Sequence, residues 1–322
     1  MRVVILGGGG FLGQKLAHAL ARDGAVAGQR IEALALFDRA APAKPDAPFP
    51  VASLEGDIGK AKDVQHLIGP GTGLVFHLAA IVSAEAEENF DLGMRVNLDG
   101  TRHVLDACRA LPKPARLVFT SSVAIYGGEV SRPVTDETIP NPQGSYGTQK
   151  AAGELLVNDY SRKGFVEGMS LRLPTVVVRP GKPNRAASTF ASSIIREPLQ
   201  GQDAVCPVDA STRMWIASPR VIVRSLLHAA TLEQAALGQN RSLLLPGLAV
   251  SVTEMVASLT RIGGPKAASR IAWRQDDRIS AIVGSWIADF TPKKALKLGF
   301  PQDRSMDEIV QAFVEDDRVL AA

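Results

Sequence analysis

Short, unbroken apolar runs alternate along the first half of the chain with stretches in which apolar residues recur every three or four positions. Val3–Leu6, Ile31–Phe37, Val51–Leu54, Leu74–Leu78, Leu117–Thr120 and Met169–Leu173 are runs of the first kind. They predict strands buried on both faces of a parallel sheet. Leu12, Leu16 and Leu20 recur every four positions, and similar patterns over 85–111 and 144–162 predict further helices. Strands alternating with helices make βαβ units, so the expected fold class is α/β, a Rossmann-type doubly wound parallel sheet.

The rhythm changes near residue 174, where prolines cluster (Pro174, Pro180, Pro183, Pro198, Pro207) and strands shorten. Ser251-x-x-Glu254 and Ser305-x-x-Glu308 predict capping boxes at the start of two late helices. The expected organisation is a dinucleotide-binding domain over 1–173, rejoined by a segment near 214–234. A smaller C-terminal substrate-binding α/β domain, mainly 174–322, lies over the carboxyl edge of the sheet, where such folds bind ligands. Ala40–Pro50, with four prolines, reads as a surface loop.

Bulk properties narrow the function classes. The chain has 322 residues, 46% hydrophobic and 21% charged, with net charge +3. No Lys/Arg run stands out, so nucleic-acid binding is not expected. No apolar run approaches the ~20 residues that span a bilayer, so no membrane partner is expected. The opening MRVVILGGGG runs from strand-like residues straight into glycines, unlike a signal peptide, and predicts a cytoplasmic protein. Cys108 and Cys206 read as buried core thiols of a reducing compartment, and neither sits in a metal-ligand spacing, so no metal is expected.

The candidate chemistry begins at ILGGGGFLG, residues 5–13. A glycine-rich turn between strand and helix lets the backbone approach a pyrophosphate, whose charge the helix N-terminus stabilises. Two frames fit: Gly8-x-Gly10-x-x-Gly13 and Gly7-x-x-Gly10-x-x-Gly13. Asp38 ends the second run, where a carboxylate accepts bonds from the adenosine ribose hydroxyls and repels a 2′-phosphate. That favours NAD over NADP, although Arg39 beside it would welcome the phosphate. Asp57 can reach an adenine amino group or serve as a helix N-cap. Small residues at Ala79 and Ala80 let a cofactor pass close to the backbone, while His77, alone on an apolar strand, reads as a core residue.

TSSVAIYG (120–127) precedes SYGTQK (145–150). Tyr146-x-x-x-Lys150 on a helix places phenol and ammonium one turn apart on one face. A phenol with pKa near ~10 is a poor base at neutral pH, but a neighbouring cation favours phenolate. A lowering of about 3 units corresponds to about 4 kcal/mol. Tyr146 could then take a proton from a substrate hydroxyl, with Ser122 hydrogen-bonding the reacting oxygen.

With these residues in order, the sequence resembles the extended branch of the short-chain dehydrogenase/reductase superfamily, over most of the chain. The resemblance selects the frame starting at Gly7. It implies catalytic Ser122, Tyr146 and Lys150. It also implies a cofactor site for NAD made of Gly7, Gly10, Phe11, Leu12, Gly13, Asp38, Asp57, Ile58, Leu78, Ala79, Ala80, Asn97, Tyr146, Lys150, Pro174 and Thr175. Leu6 departs from the Thr this branch usually carries there. Helices matching 85–111 and 144–162 often pair between subunits in this branch, which implies a homodimer.

Nucleotide-sugar epimerases of the branch carry Arg-x-x-Asn after the sixth strand, whereas this chain reads Arg172-Leu-Pro-Thr175. Dehydratases need an acidic residue beside the catalytic Ser, and Val123 is not one. The run 171–188 looks most like a group that oxidises a four-carbon sugar acid, D-erythronate, with NAD. A small anionic sugar acid needs a cation, preferably a guanidinium. Arg179, Lys182, Arg185 and Arg213 are available, with Arg179 and Arg213 preferred. Ser83, Ser122, Tyr146 and Ser188 are the expected hydroxyl contacts. The alternatives are a nucleotide-sugar 4-epimerase and a non-catalytic NAD sensor.

Overall fold

In a computed structural model of the protein, residues 1–181 and 187–317 are described. They form two compact units: Met1–Ile125, Pro142–Arg172 and Val223–Leu244 in the first, and Tyr126–Asn141, Leu173–Ile222 and Leu245–Ala322 in the second. The division differs from the sequence expectation in two places. Residues 126–141 leave the first unit, because Val134–Thr135 pairs with Phe290–Thr291. The returning segment lies at 223–244 and not 214–234, because Arg213–Ala217 is committed to pairing with Thr175–Val176 and Leu248–Ser251 in a sheet of the second unit.

The first unit is built on a seven-stranded sheet of β1 (Arg2–Leu6), β2 (Ala33–Asp38), β3 (Val51–Glu55), β4 (Thr72–His77), β5 (Arg116–Ser122), β6 (Glu167–Leu173) and β7 (Ser242–Leu244). Their spatial order is β7-β6-β5-β4-β1-β2-β3. The pairs β1–β2, β1–β4, β2–β3, β4–β5 and β6–β7 run parallel. The order reverses between β1 and β4, the switch point at which an open α/β sheet leaves a crevice beyond its strand ends. Val3, Val4, Ile5 and Leu6 are wholly buried, as a central strand covered on both faces requires.

Five helices of this unit matter for the site: α1 (Phe11–Asp23), α2 (Ala61–Leu67), α3 (Ser83–Glu88), α4 (Gly100–Arg109) and α5 (Ser145–Arg162). The single helix expected over 85–111 is broken. Asn89 adopts a non-helical backbone and its side chain caps a turn at Phe90–Gly93, and a π-helix over Met94–Asp99 leads into α4. A π-turn widens the helix and re-aims its side chains, and such turns concentrate at functional sites.

In the second unit, helices Thr189–Leu199, Val252–Ala268 and Met306–Asp316 enclose a core that includes Ile194, Ile195, Met255, Leu259, Ile309 and Phe313. Ser251 and Glu254 form a complete capping box. Ser305 caps its helix, but Glu308 reaches the Arg304 amide at 2.6 Å, one residue short of closing the box. Among the described residues no helix is long and apolar enough to cross a membrane, and no cluster of three His, Cys, Asp or Glu could hold a metal. Cys108 and Cys206 are buried and unbridged, and burial pushes the Cys108 thiol up to about 12.

Candidate active site

The glycine turn is fixed by crowding as well as by conformation. Gly7 has φ +86, and a Cβ there would lie 2.7 Å from the Ala79 amide nitrogen. A Cβ on Gly13 would run into the Gly7 carbonyl oxygen. The Gly7 and Gly8 amides both donate to Phe37 O, at 2.9 and 3.0 Å, tying the turn to the end of β2. Gly7 is the one glycine of the turn in left-handed backbone, so the frame that begins there carries the strict requirement. Helix α1 then starts at Phe11 and Leu12 with no acidic residue in its first turn and no side-chain cap, leaving its positive end for an anion. The backbone cradle fits a pyrophosphate.

Asp38 ends β2 beside this turn. Its Oδ2 accepts from the Gly9 amide at 2.9 Å and its Oδ1 from the Arg39 amide at 2.7 Å, so the carboxylate is held in place at the rim of the cradle. Asp57 does not cap a helix: Lys60 holds the N-cap position of α2 without a side-chain bond. Instead Asp57 accepts from the Gly59 amide at 2.8 Å and from Arg95 at 2.6 Å. Burial pushes its carboxyl up, but the bonds from Arg95 and Gly59 outweigh that and hold it below the ordinary carboxylate value. The Ile58 side chain is committed to the core, packed beside Gly100, so only its backbone could meet a ligand.

Beyond β4, Leu78, Ala79 and Ala80 are half-buried, and Leu78 donates to Leu6 O at 2.8 Å. His77 lies fully buried beneath them. Thr101 donates to Asn97 O at 2.7 Å, so at 2.9 Å from His77 Nε2 its oxygen must accept; the ring is therefore the neutral Nε2–H tautomer. Burial, with a contribution from the Lys150 charge, drops the His77 pKa to about 3. Asn97, inside the π-helix, accepts from the Ile81 amide at 2.9 Å and donates to Gln149 Oε1 at 2.8 Å. It thereby pins the turn of α5 that carries Lys150. Ser83, the first residue of α3, is exposed.

Ser122, Tyr146 and Lys150 all belong to the first unit. Ser122 is the last residue of β5, and its Oγ accepts from the Ala124 amide at 3.1 Å, which leaves the O–H as a donor. Tyr146 is the second residue of α5. Gly147 sits where a Cβ would strike the Ala124 carbonyl, so the first turn of α5 presses directly on the turn that follows Ser122. Lys150 is 1% exposed; its amine donates to Thr120 O at 2.8 Å and lies 4.7 Å from the Phe119 ring centre and 5.7 Å from that of Tyr146. Burial draws the Lys150 pKa down to about 7, against the charge of Glu154 one turn on, which raises it. Gly147, Gln149 and the Thr120 carbonyl are positioning groups that sequence spacing did not disclose. A glycine inside Tyr-x-x-x-Lys was its one visible trace.

The remaining expected residues belong to the second unit. Pro174 is buried and Thr175 half-buried at the start of Thr175–Val176. The Arg179 amide donates to Ser192 Oγ at 3.0 Å, its carbonyl accepts from Arg196 at 2.7 Å and its Nε donates to Val176 O at 3.1 Å. Arg213, half-exposed, pairs with Asp289 at 3.0 Å. Ser188 is the residue before Thr189–Leu199 and makes no side-chain cap. Lys182 and Arg185 lie outside the described residues.

Residues 3–219 match the NAD dependent epimerase/dehydratase family. The chain belongs to that family. It is 49% identical over 320 residues to D-erythronate dehydrogenase of Cupriavidus necator, covering 98% of both chains. It is 44% identical to D-erythronate dehydrogenase of Haemophilus influenzae, covering 98% of this chain and 100% of that one. A crystal structure described as the nucleoside-diphosphate-sugar epimerase from Agrobacterium tumefaciens superposes with TM-score 0.94 at 41% identity, covering 99% of this chain and 94% of that one. The family's description implies a nicotinamide cofactor.

Proposed function

We propose that this protein is an NAD-dependent dehydrogenase that oxidises the 2-hydroxyl of a small sugar acid, D-erythronate, to the 2-keto acid, with Tyr146 as general base. The observation that carries the chemistry is the Lys150 amine, buried within 5.7 Å of the Tyr146 ring and fixed to Thr120 O two residues before Ser122. A cation so placed favours phenolate at Tyr146. The Tyr146 oxygen takes the hydroxyl proton, and Ser122 donates to the substrate oxygen as charge develops on it. NAD, held at the Gly7–Gly13 turn, would supply the acceptor for the hydride that leaves the 2-carbon. Asp38 supports NAD over NADP, since a carboxylate at that rim repels a 2′-phosphate. Arg179 and Arg213 are the cations offered to the substrate carboxylate. The choice of D-erythronate follows the two near-full-length relatives of that name.

A homodimer belongs to the same reading: Phe90 and Leu155, 57% and 72% exposed, lie on the two helical stretches that often pair between subunits in the extended branch.

The epimerase reading is favoured by the description of the Agrobacterium tumefaciens structure. Incubation with NAD and D-erythronate, read at the NADH absorbance band, separates the two. Growing absorbance supports the dehydrogenase. No NADH with D-erythronate, together with interconversion of UDP-hexoses, contradicts it.

A further inference from the structure

One turn beyond Lys150, α5 carries a second buried charge. Glu154 and Arg172 of β6 are each 4% exposed, and the guanidinium closes on the carboxylate through Nε at 3.0 and 3.1 Å and through Nη2 at 2.7 Å. Such a pair is a poor source of stability, because desolvation of both ions offsets their attraction and apolar substitutes often do as well. Its position suggests another use. Glu154 follows Lys150 by four residues, so the two side chains share a helix face.

The surroundings of Lys150 are otherwise neutral. Thr120 O and the Phe119 ring meet it from β5, the neutral His77 ring from β4 and the Tyr146 phenol from the preceding turn of α5. Among the described residues no carboxylate touches the amine, and Glu154 is the one whose charge reaches it. Arg172, whose guanidinium stays charged at any working pH, is the direct partner of Glu154 in a buried ion pair at 2.7 Å.

We propose that Glu154, paired with Arg172, is a positioning residue that keeps the buried Lys150 amine protonated and so sets the pH at which Tyr146 accepts the substrate proton. Glu154, bonded to Arg172, lies one helical turn from Lys150, and its charge favours the ammonium that in turn favours phenolate. Without Glu154 the buried amine sheds its proton more readily, and Tyr146 stays a phenol to higher pH. This inference rests on Tyr146 as general base.

The test compares kcat/KM for D-erythronate oxidation, with saturating NAD, across about pH 6 to pH 10. Glu154→Gln is compared with wild type and with the double variant Glu154→Gln/Arg172→Met, which leaves no unpaired buried guanidinium and serves if the single variant does not fold. The acidic limb should move up by about one unit in either variant, about a tenfold loss at pH 7 that recovers at the alkaline end. A purely structural pair would lower the rate equally at every pH and leave the limb where wild type has it, and that result overturns the inference. A wild-type limb shared by the variants sinks only the role of Glu154. Full turnover by Tyr146→Phe sinks the general-base reading and this inference with it.

Discussion

The glycine turn and the Tyr146–Lys150 helix of the first unit differ in kind from the arginines of the second. In the first unit each side chain or backbone group is held by neighbours that leave little choice. Gly13 abuts the Gly7 carbonyl, Gly147 abuts the Ala124 carbonyl and Lys150 is fixed to Thr120 O. In the second, Arg213 is half-exposed and paired with an equally exposed Asp289, an arrangement worth little and readily exchanged for another carboxylate. Arg179 has its backbone clamped by Ser192 and Arg196, and its Nε donates to Val176 O. On the proposed function, the chemistry common to the family rests on rigid backbone, and substrate choice is assigned to Arg179 and Arg213 in the second unit.

The sharpest way to break that contrast is Gly13→Ala. Its methyl group has no room beside Gly7 O, so NAD binding, measured by calorimetry, should fall below detection. Near-normal affinity would mean that the turn is not the cradle described. The arginines should behave more gently. Of Arg179→Ala and Arg213→Ala, the one that removes the carboxylate contact should raise KM for D-erythronate about tenfold or more and leave KM for NAD unchanged. No change in either variant would place the carboxylate elsewhere. Asp38→Asn should narrow the preference for NAD over NADP, about tenfold in the ratio of kcat/KM values, by removing the repulsion of a 2′-phosphate.

The smallest effect is on stability without cofactor. Burial holds the Lys150 pKa near about 7 in the folded protein, below its unfolded value, so the fold carries a penalty for the charged amine. That penalty is complete below pH 7 and fades as pH rises toward the unfolded pKa. Lys150→Met should therefore raise Tm in scanning calorimetry, most below neutrality and least in alkali. The opposite pH trend would contradict the burial argument.

Much of this was legible in the sequence because it rests on local spacing. The six main apolar runs became strands of the sheet within two residues at either end, and Tyr-x-x-x-Lys needed only helical period to place both groups on one face. What spacing could not carry were contacts between distant segments. The seventh strand, Ser242–Leu244, is too short to announce itself and is recruited by β6. The helix expected across 85–111 breaks at Asn89, and the π-turn beyond it carries Asn97, whose partners Ile81 and Gln149 are far off in sequence. Asp57 abandons the cap for Arg95, 38 residues away. The burial of Glu154 against Arg172 joins a helix to a strand that no motif connects.

The most direct measurement is the turnover of Tyr146→Phe with NAD and D-erythronate, beside its affinity for NAD. The expected result is a loss of at least about a hundredfold in kcat with NAD affinity nearly intact. Turnover equal to that of wild type would show that no proton passes through the Tyr146 oxygen.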